Sequence, residues 1–276
     1  MSIYVGVGSA AKALSKLYVG VDGKARAVQK VYLGVDGKAR LVYQLGTPLS
    51  AKAVGSTVKI KVNGTAKDFL IVQQGNPGTS IYDSSCAGTW LLMKDIYEER
   101  KWGDYQKSFS SSAADDNEYE KSEIHTYLNG TFYNLIDSSI RSMIKQVKIP
   151  YCTGSSTGNK TIVKGTSGLS TKVFLLSATE VKIKDTNAYN GEGAILSYFS
   201  GCAYNNADAG RVARLNGTQK DWYTRTPYNI YGSASPIHIR NNGGWDYDAL
   251  GYSKGIRPAF ILPSDTMVDE NNNVIA

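Results

Sequence analysis

The stretch YVGVDGKARAVQKV, residues 18–31, is followed directly by YLGVDGKARLVYQL, residues 32–45, and is preceded by a looser copy, YVGVGSAAKALSKL, residues 4–17. The tyrosines that open the three copies are 14 residues apart. Fourteen residues make two heptads, but a coiled coil would place Gly20 and Gly34 inside helices at a cost of about 1 kcal/mol each. The repeat is therefore not expected to be helical.

A β-hairpin turn explains the repeat better than a coiled coil does. Aspartate followed by glycine is a strong signal for a two-residue hairpin turn between short strands. A single hairpin is marginally stable and must bury a face on neighbours or on other chains. We therefore predict that residues 1–46 are three β-hairpin repeats used for assembly or attachment, in a homo-oligomer for which a trimer is one candidate. The residues assigned to this role are Tyr4, Tyr18, Asp22, Gly23, Tyr32, Asp36 and Gly37.

The remainder of the chain divides into a linker, a main domain and a tail. Small residues dominate 47–56, which we interpret as a linker. Residues 57–62 alternate apolar residues with lysines, which predicts a half-buried strand, and Asn63–Gly64 turns it into a hairpin. The main domain is predicted over 57–263, with 264–276 as a C-terminal tail.

Two helices are expected within the main domain. Ser122 is a suitable N-cap for a first helix that ends near Asn129–Gly130. Apolar residues at three- and four-residue spacing then continue to Val147, with a possible break at 137–139, and predict a second helix that ends before Pro150. Residues 173–181 predict a buried strand, and short strands are expected near 237–240 and 259–262. Two helices among many short strands indicate an α+β fold.

The composition and charge of the chain limit the classes of function that fit it. The formal net charge is +7, but the basic residues concentrate in the repeats, with no reading element or stacking platform beside them. We predict no nucleic-acid partner, no membrane insertion and no signal peptide. Cys86, Cys152 and Cys202 have neither metal-binding nor disulfide spacing, so buried thiols are expected. We predict no cofactor and no metal site.

Several phrases of the main domain resemble a known family. They are WLLMKDIYEERKWG (90–103), YEKSEIHTYLNGTFYNLID (119–137), VKIPY (147–151), VFLLSATEV (173–181), LSYF (196–199), DWYTRTPY (221–228) and KGIRPAFILP (254–263). In this order they look like an uncharacterised domain of clostridial-type phage and prophage tail proteins and of some bacterial surface proteins. That family is similar to the C-type-lectin-like fold of formylglycine-generating enzymes and retroelement variable proteins.

The resemblance implies a C-type-lectin-like domain in which the hairpin after residue 57 pairs with the terminal RPAFILP strand and two helices flank the sheet. It also implies that residues 222–255 form a ligand-facing surface. The calcium-dependent sugar motifs of true C-type lectins are absent, and Cys202 has no nearby cysteine as the formylglycine-generating enzymes require.

Residues 221–255 are rich in Tyr, Asn, Ser, Asp and Gly, which suits adaptable contacts with sugars or proteins. We predict a ligand face here, with structural glycine-rich loops as the alternative. Its residues are Tyr223, Tyr228, Asn229, Tyr231, Asn241, Asn242, Trp245, Tyr247 and Asp248.

Catalysis finds little support in the sequence. His125 and His238 lie on a predicted helix and a predicted strand without a nucleophile elbow or metal spacing. The acidic residues 115–120 are interpreted as a solvated charge run before a helix rather than a calcium site. Arg257 is expected to be structural, and Trp90, Trp102 and Trp222 are expected in the core.

The sequence therefore predicts a virion protein made in a bacterial cytoplasm. It would be a phage or prophage tail-associated receptor-binding protein for a host-surface glycan or protein, and its other partners would be virion tail proteins. Two alternatives stay open: a purely structural virion component without a ligand, and a formylglycine-generating-like enzyme.

Overall fold

A computed structural model describes residues 4–7, 10–13, 17–28, 30–44, 46–104, 118–153, 161–183, 191–230 and 233–275. This part of the chain consists mostly of short strands in small sheets, with a few short helical segments, which is a β-rich mixed fold. No helix in it is both long and apolar enough to span a bilayer.

The N-terminal repeats form three β-hairpins, each a two-stranded antiparallel sheet of its own. Their strands are β1 (Tyr4–Val7) with β2 (Ala10–Ala13), β3 (Tyr18–Val21) with β4 (Lys24–Ala27), and β5 (Lys30–Val35) with β6 (Lys38–Gln44). Asp22 and Asp36 have φ of 52°, and the glycines that follow them have φ of 72°. Positive φ at both central positions is what a type I′ hairpin turn requires, and aspartate followed by glycine adopts it at low cost.

A four-stranded antiparallel sheet forms the centre of the globular domain. It contains β8 (Thr57–Val62), β9 (Thr65–Gln74), β10 (Thr89–Met93) and β22 (Ala259–Leu262), in the order β22–β10–β9–β8. The resemblance implied direct pairing between the β8–β9 hairpin and the terminal strand. Instead β10 lies between them, because all five of its residues are buried and a strand apolar on both faces occupies the middle of a sheet.

A second, five-stranded sheet carries the C-terminal part of the domain. It contains β11 (Glu98–Lys101), β18 (Trp222–Ile230), β19 (Ser233–Ile239), β20 (Trp245–Tyr247) and β21 (Ser253–Ile256), in the order β11–β21–β18–β19–β20. Three two-stranded sheets accompany it: β12 (Val147–Ile149) with β15 (Leu169–Thr171), β13 (Tyr151–Cys152) with β14 (Ile162–Val163), and β16 (Ala213–Leu215) with β17 (Thr218–Lys220).

The segments interpreted as a linker (47–56) and a tail (264–276) are part of the folded domain. Strand β7 (Thr47–Pro48) pairs with β23 (Met267–Val268), which also pairs with β24 (Val274–Ile275). Leu49, at the start of a 3₁₀ turn, is fully buried. Residues 47–56 therefore contribute a paired strand and a buried leucine, and the domain boundaries at 57 and 263 stay a prediction.

The helical region is shorter and less regular than predicted. Ser122 does cap α1 (Glu123–Tyr127), since its Oγ accepts from the His125 N–H at 3.0 Å. The helix does not end at Asn129–Gly130. It continues through a π-turn, Leu128–Phe132, into α2 (Tyr133–Leu135).

The second predicted helix is mostly wrong. The chain breaks before Asp137, as the serine-rich stretch suggested, but α3 covers only Ser138–Arg141. Residues 147–149 then form β12 with Leu169–Thr171 as partner, so a distant strand overrides the local helical spacing.

The core contains the large aromatic residues that the sequence assigned to it. Trp90, Trp102 and Trp222 are buried, which confirms their prediction as core residues. Residues 173–181 are almost entirely buried, also as predicted, yet they form no strand ladder. One bridge, from Phe174 to Ala259, attaches them to the four-stranded sheet.

Candidate ligand-binding face

The predicted ligand face lies on β18, β19, β20 and the turns between them, and Tyr223 does not contribute its ring to it. Tyr223 is fully buried, its ring contacts Trp102 edge-on at 5.4 Å, and its hydroxyl donates to the Tyr252 carbonyl at 2.6 Å. Burial raises the pKa of this phenol. Every residue of β18 from Trp222 to Tyr228 is buried, so Tyr223 is a packing residue.

Three other aromatic residues of the predicted set come together. The Tyr228 and Tyr247 rings are stacked, with centroids 4.0 Å apart and planes 12° apart, and Trp245 lies 5.9 Å from Tyr228. Tyr228 is buried, whereas Trp245 and Tyr247 are half-buried. We call these three residues the aromatic cluster. Because Tyr228 supports its neighbours from below, the partly exposed rings are held in fixed positions, which lowers the entropy cost of binding.

The turn between β19 and β20 presents Asn241 and Asn242 at the surface. Asp221 accepts the Asn241 N–H at 2.8 Å, and the Asn242 side chain accepts the Gly244 N–H at 2.9 Å. Gly243 has φ of +80°, and a Cβ there would clash with the Asp208 carbonyl oxygen. The turn is therefore fixed against a neighbouring loop.

Two members of the predicted set are described less fully. Asn229 is described by its backbone alone, which pairs with Ala234. Tyr231 lies outside the described residues.

A charged cluster borders the turn. Lys254 Nζ lies 2.7 Å from Asp248 Oδ2 and 3.1 Å from Asp221 Oδ2, and His238 Nε2 lies 3.4 Å from Asp221 Oδ2. We call Asp221, His238, Asp248 and Lys254 the charged cluster. Burial, together with the Lys254 charge, lowers the pKa of His238 to about 4, so the imidazole is neutral near pH 7. The partly exposed carboxylates of Asp221 and Asp248 can accept hydrogen bonds from a ligand's hydroxyl or amide groups.

No sequence motif indicates the buried ion cluster around Arg225 of β18. Arg225 lies where the β18–β19 register shifts, and its guanidinium reaches both carboxylate oxygens of Glu180 at 2.7 Å. Its Nε lies 3.4 Å from Glu192 Oε1, and the Tyr82 hydroxyl donates to Glu180 at 2.7 Å. All three charged side chains are inaccessible to solvent. We call Arg225, Glu180 and Glu192 the buried ion cluster.

Burial raises the pKa of Glu192 to about 7, even though Arg225 and the Thr226 hydroxyl act in the opposite direction. Two glutamates thus share one arginine, and Glu192 holds a proton over part of the neutral range. Because neither carboxylate reaches solvent, this pair braces the loops around β18 and does not face a substrate cleft.

Two further arginines connect loops through backbone carbonyls. Arg257 donates to the Met93 and Lys94 carbonyls at 3.2 and 2.8 Å and lies over the Trp222 ring, which confirms its predicted structural role. Arg211 donates to four backbone carbonyls, those of Val181, Ala203, Asn206 and Gly243. Arg211 therefore positions the Asn241–Gly244 turn.

In the described part of the chain, no group of three or more His, Cys, Asp or Glu residues is arranged to hold a metal ion. Lys254 lies between the carboxylates of the charged cluster, where a cation would otherwise be needed. The three cysteines are buried free thiols.

The fold and site define a β-rich domain whose surface carries the aromatic cluster and the charged cluster. The family model described as "Domain of unknown function (DUF6273)" matches residues 87–264, so the chain belongs to that family. No curated protein and no solved structure matches the chain. The family match leaves out the three N-terminal hairpins, and it also leaves out β8 and β9, which the structure nevertheless places in the central sheet.

Proposed function

We propose that this chain is a phage or prophage tail-associated receptor-binding protein that recognises a glycan or protein on the host surface. The single observation that carries the proposal is the aromatic cluster, in which a supported, partly exposed Trp245–Tyr247 pair lies beside an asparagine-rich turn. Aromatic rings stack on apolar faces of a ligand, and amide and carboxylate groups accept or donate hydrogen bonds around them.

The proposed setting is the virion. The globular domain would be C-type-lectin-like; its β-rich mixed fold supports that proposal, although β22 lies at the edge of the central sheet and pairs with β10 and not with the β8–β9 hairpin. The hairpins would attach the domain to virion tail proteins and to sister chains. Many copies on one particle would raise the effective affinity of a weak single contact by mass action.

The test uses the full chain in a glycan array and in a host-cell binding assay. Trp245→Ala and Tyr247→Ala are each expected to weaken binding by about tenfold or more, the loss typical of an aromatic hot spot. The matched control is Tyr204→Ala, a tyrosine that is 51% exposed and lies on another loop. Retained binding in both cluster variants, or an equal loss in the control, would contradict the proposed face.

A purely structural virion component is the second candidate, and the exposed hairpins favour it because they suit assembly without requiring any ligand. The two candidates differ in outcome. A structural component would enter particles normally and bind neither host cells nor any glycan, and the cluster variants would assemble like the wild type.

A further inference from the structure

The hydrophobic surface of the molecule is concentrated on the hairpins. Of the eight large hydrophobic side chains exposed among the described residues, six lie on β3 and β5: Tyr18, Val19, Val21, Tyr32, Leu33 and Val35. An exposed patch of this kind, repeated along a chain, marks an interaction surface. The described hairpins do not pair with one another, so the patch is not covered by its neighbours in the same chain.

The two faces of each hairpin differ in charge. Residues directly opposite in an antiparallel pair share a face, and successive pairs alternate between faces. One set of register positions holds Tyr18 with Ala27, Gly20 with Ala25, Tyr32 with Leu41, and Gly34 with Ala39. The other set holds Val19 with Arg26, Val21 with Lys24, Leu33 with Arg40, and Val35 with Lys38.

We call the first set the tyrosine face and the second set the basic face. The first hairpin has the same pattern, since Tyr4 is opposite Ala13 and Gly6 is opposite Ala11. Among the described register pairs, the tyrosine face has one charged residue, Lys30, which lies opposite Gln44 at the end of the third hairpin farthest from its turn.

We propose that the tyrosine face docks against the tyrosine face of another copy of this chain; this rests on the assembly role proposed above for the hairpins and specifies the partner and the contact. Charge decides the face, because two copies that met through their basic faces would bring lysines and arginines together, and like charges in contact are repelled. The tyrosine faces can meet with much less repulsion, because Lys30 is their one charged position among the described register pairs.

The 14-residue spacing of the tyrosines indicates that the partner is another copy of this chain. The exposed tyrosines recur every 14 residues, and another copy presents the same positions at the same interval. Space for a partner ring is present beside each tyrosine, because a Cβ added at Gly20 or Gly34 would meet nothing within 4 Å. Aromatic rings packed over glycine and alanine would remove the exposed rings from water at little steric cost.

The test compares two double variants of the full chain by sedimentation equilibrium over a range of concentrations. Tyr18→Lys with Tyr32→Lys changes the tyrosine face, and Val19→Lys with Leu33→Lys makes the same charge change on the basic face. The positions are matched, since Tyr18 and Tyr32 are 55% and 53% exposed, and Val19 and Leu33 are 49% and 55% exposed.

The wild type and the basic-face variant are expected to associate, and the tyrosine-face variant is expected to show a dissociation constant raised by at least about tenfold, as for loss of an interface hot spot. A monomeric wild type, unchanged association in the tyrosine-face variant, or equal loss in both variants would each overturn the proposal. Unchanged thermal unfolding of the globular domain shows that neither variant is misfolded.

The same variants separate this proposal from receptor binding. A dissociated tyrosine-face variant that still binds its ligand with monovalent affinity supports both proposals. Loss of ligand binding in the aromatic-cluster variants does not depend on association, so either proposal can fail while the other stands.

Discussion

The hairpins and the globular domain use the same residue types in opposite ways. Tyr18 and Tyr32 are more than half exposed on the hairpins, whereas Tyr82, Tyr119 and Tyr223 are buried in the domain. The hairpins follow from turn chemistry between neighbouring residues. The domain depends on contacts between residues far apart in sequence, and buried arginines hold its irregular loops. Turn signals between neighbouring residues are therefore enough to specify a hairpin, whereas the core requires burial of residues that are far apart in the sequence.

The largest change in unfolding free energy is expected from a substitution in the buried ion cluster. Arg225→Met leaves Glu180 and Glu192 buried without a cation, which is expected to cost about 3–5 kcal/mol of unfolding free energy. The control, Arg240→Met, removes a partly exposed ion pair with Asp246 and should cost less than about 1 kcal/mol. Urea unfolding monitored by tryptophan fluorescence measures both. Equal effects would mean that Arg225 does not hold the domain together.

A smaller change in unfolding free energy is expected when one glycine of the globular domain is replaced, compared with one glycine of a hairpin. Gly243→Ala forces a side chain at positive φ against the Asp208 carbonyl, and is expected to cost roughly 1–3 kcal/mol. Gly20→Ala meets no neighbour in the hairpin and should change the unfolding free energy by less than about 0.5 kcal/mol. Thermal unfolding of both variants gives the comparison. If the two substitutions are equally tolerated, the turn of the ligand face is not held as tightly as its contacts indicate.

The smallest effect is a pair of opposing pH dependences inside the domain. The pKa of Glu192 is raised from 4.5 to about 7, so the folded chain keeps a proton that the unfolded chain releases, and stability falls as pH rises through this window. The pKa of His238 is lowered from 6.5 to about 4, so the unfolded chain binds the extra proton, and stability rises as pH increases through that window.

Substitutions separate the two contributions. Glu192→Gln should leave a stability that rises between about pH 4.5 and 6.5, and His238→Gln should leave one that falls over the same range. Urea midpoints measured across this range report both slopes. Slopes identical to that of the wild type in both variants would show that neither group titrates differently in the fold.

The features that could be predicted from the sequence are local. Asp22–Gly23 and Asp36–Gly37 specify their turns because positive φ is acceptable at those residues, and Ser122 caps α1 with its own hydroxyl. The strands over 57–62 and 259–262 follow from alternation and from apolar runs. In each case the determining contact lies within a few residues.

The features that could not be predicted depend on distant partners. Thr47–Pro48 becomes a strand because Met267–Val268 lies beside it, some 220 residues later. Val147–Ile149 pairs with Leu169–Thr171 although its spacing favours a helix. Within the candidate site, the turn composition indicated Trp245, Tyr247 and the asparagines as surface residues.

Two site features were beyond sequence reasoning. No motif distinguished the buried Tyr223 on β18 from the partly exposed Trp245 and Tyr247 on β20, because their burial depends on how the strands pack. The link from Arg225 to Glu180, 45 residues away, carries no spacing signal either.

Strand β7 has a mechanical consequence. The hairpins join the domain through Gly46 and Thr47, so a force applied to the hairpins enters the domain at β7. There it meets a three-stranded clasp of two-residue strands, in which β23 lies between β7 and β24. Traction would thus strain this small clasp first, and the bridge between Lys59 and Asn273 would then pass the load to the central sheet.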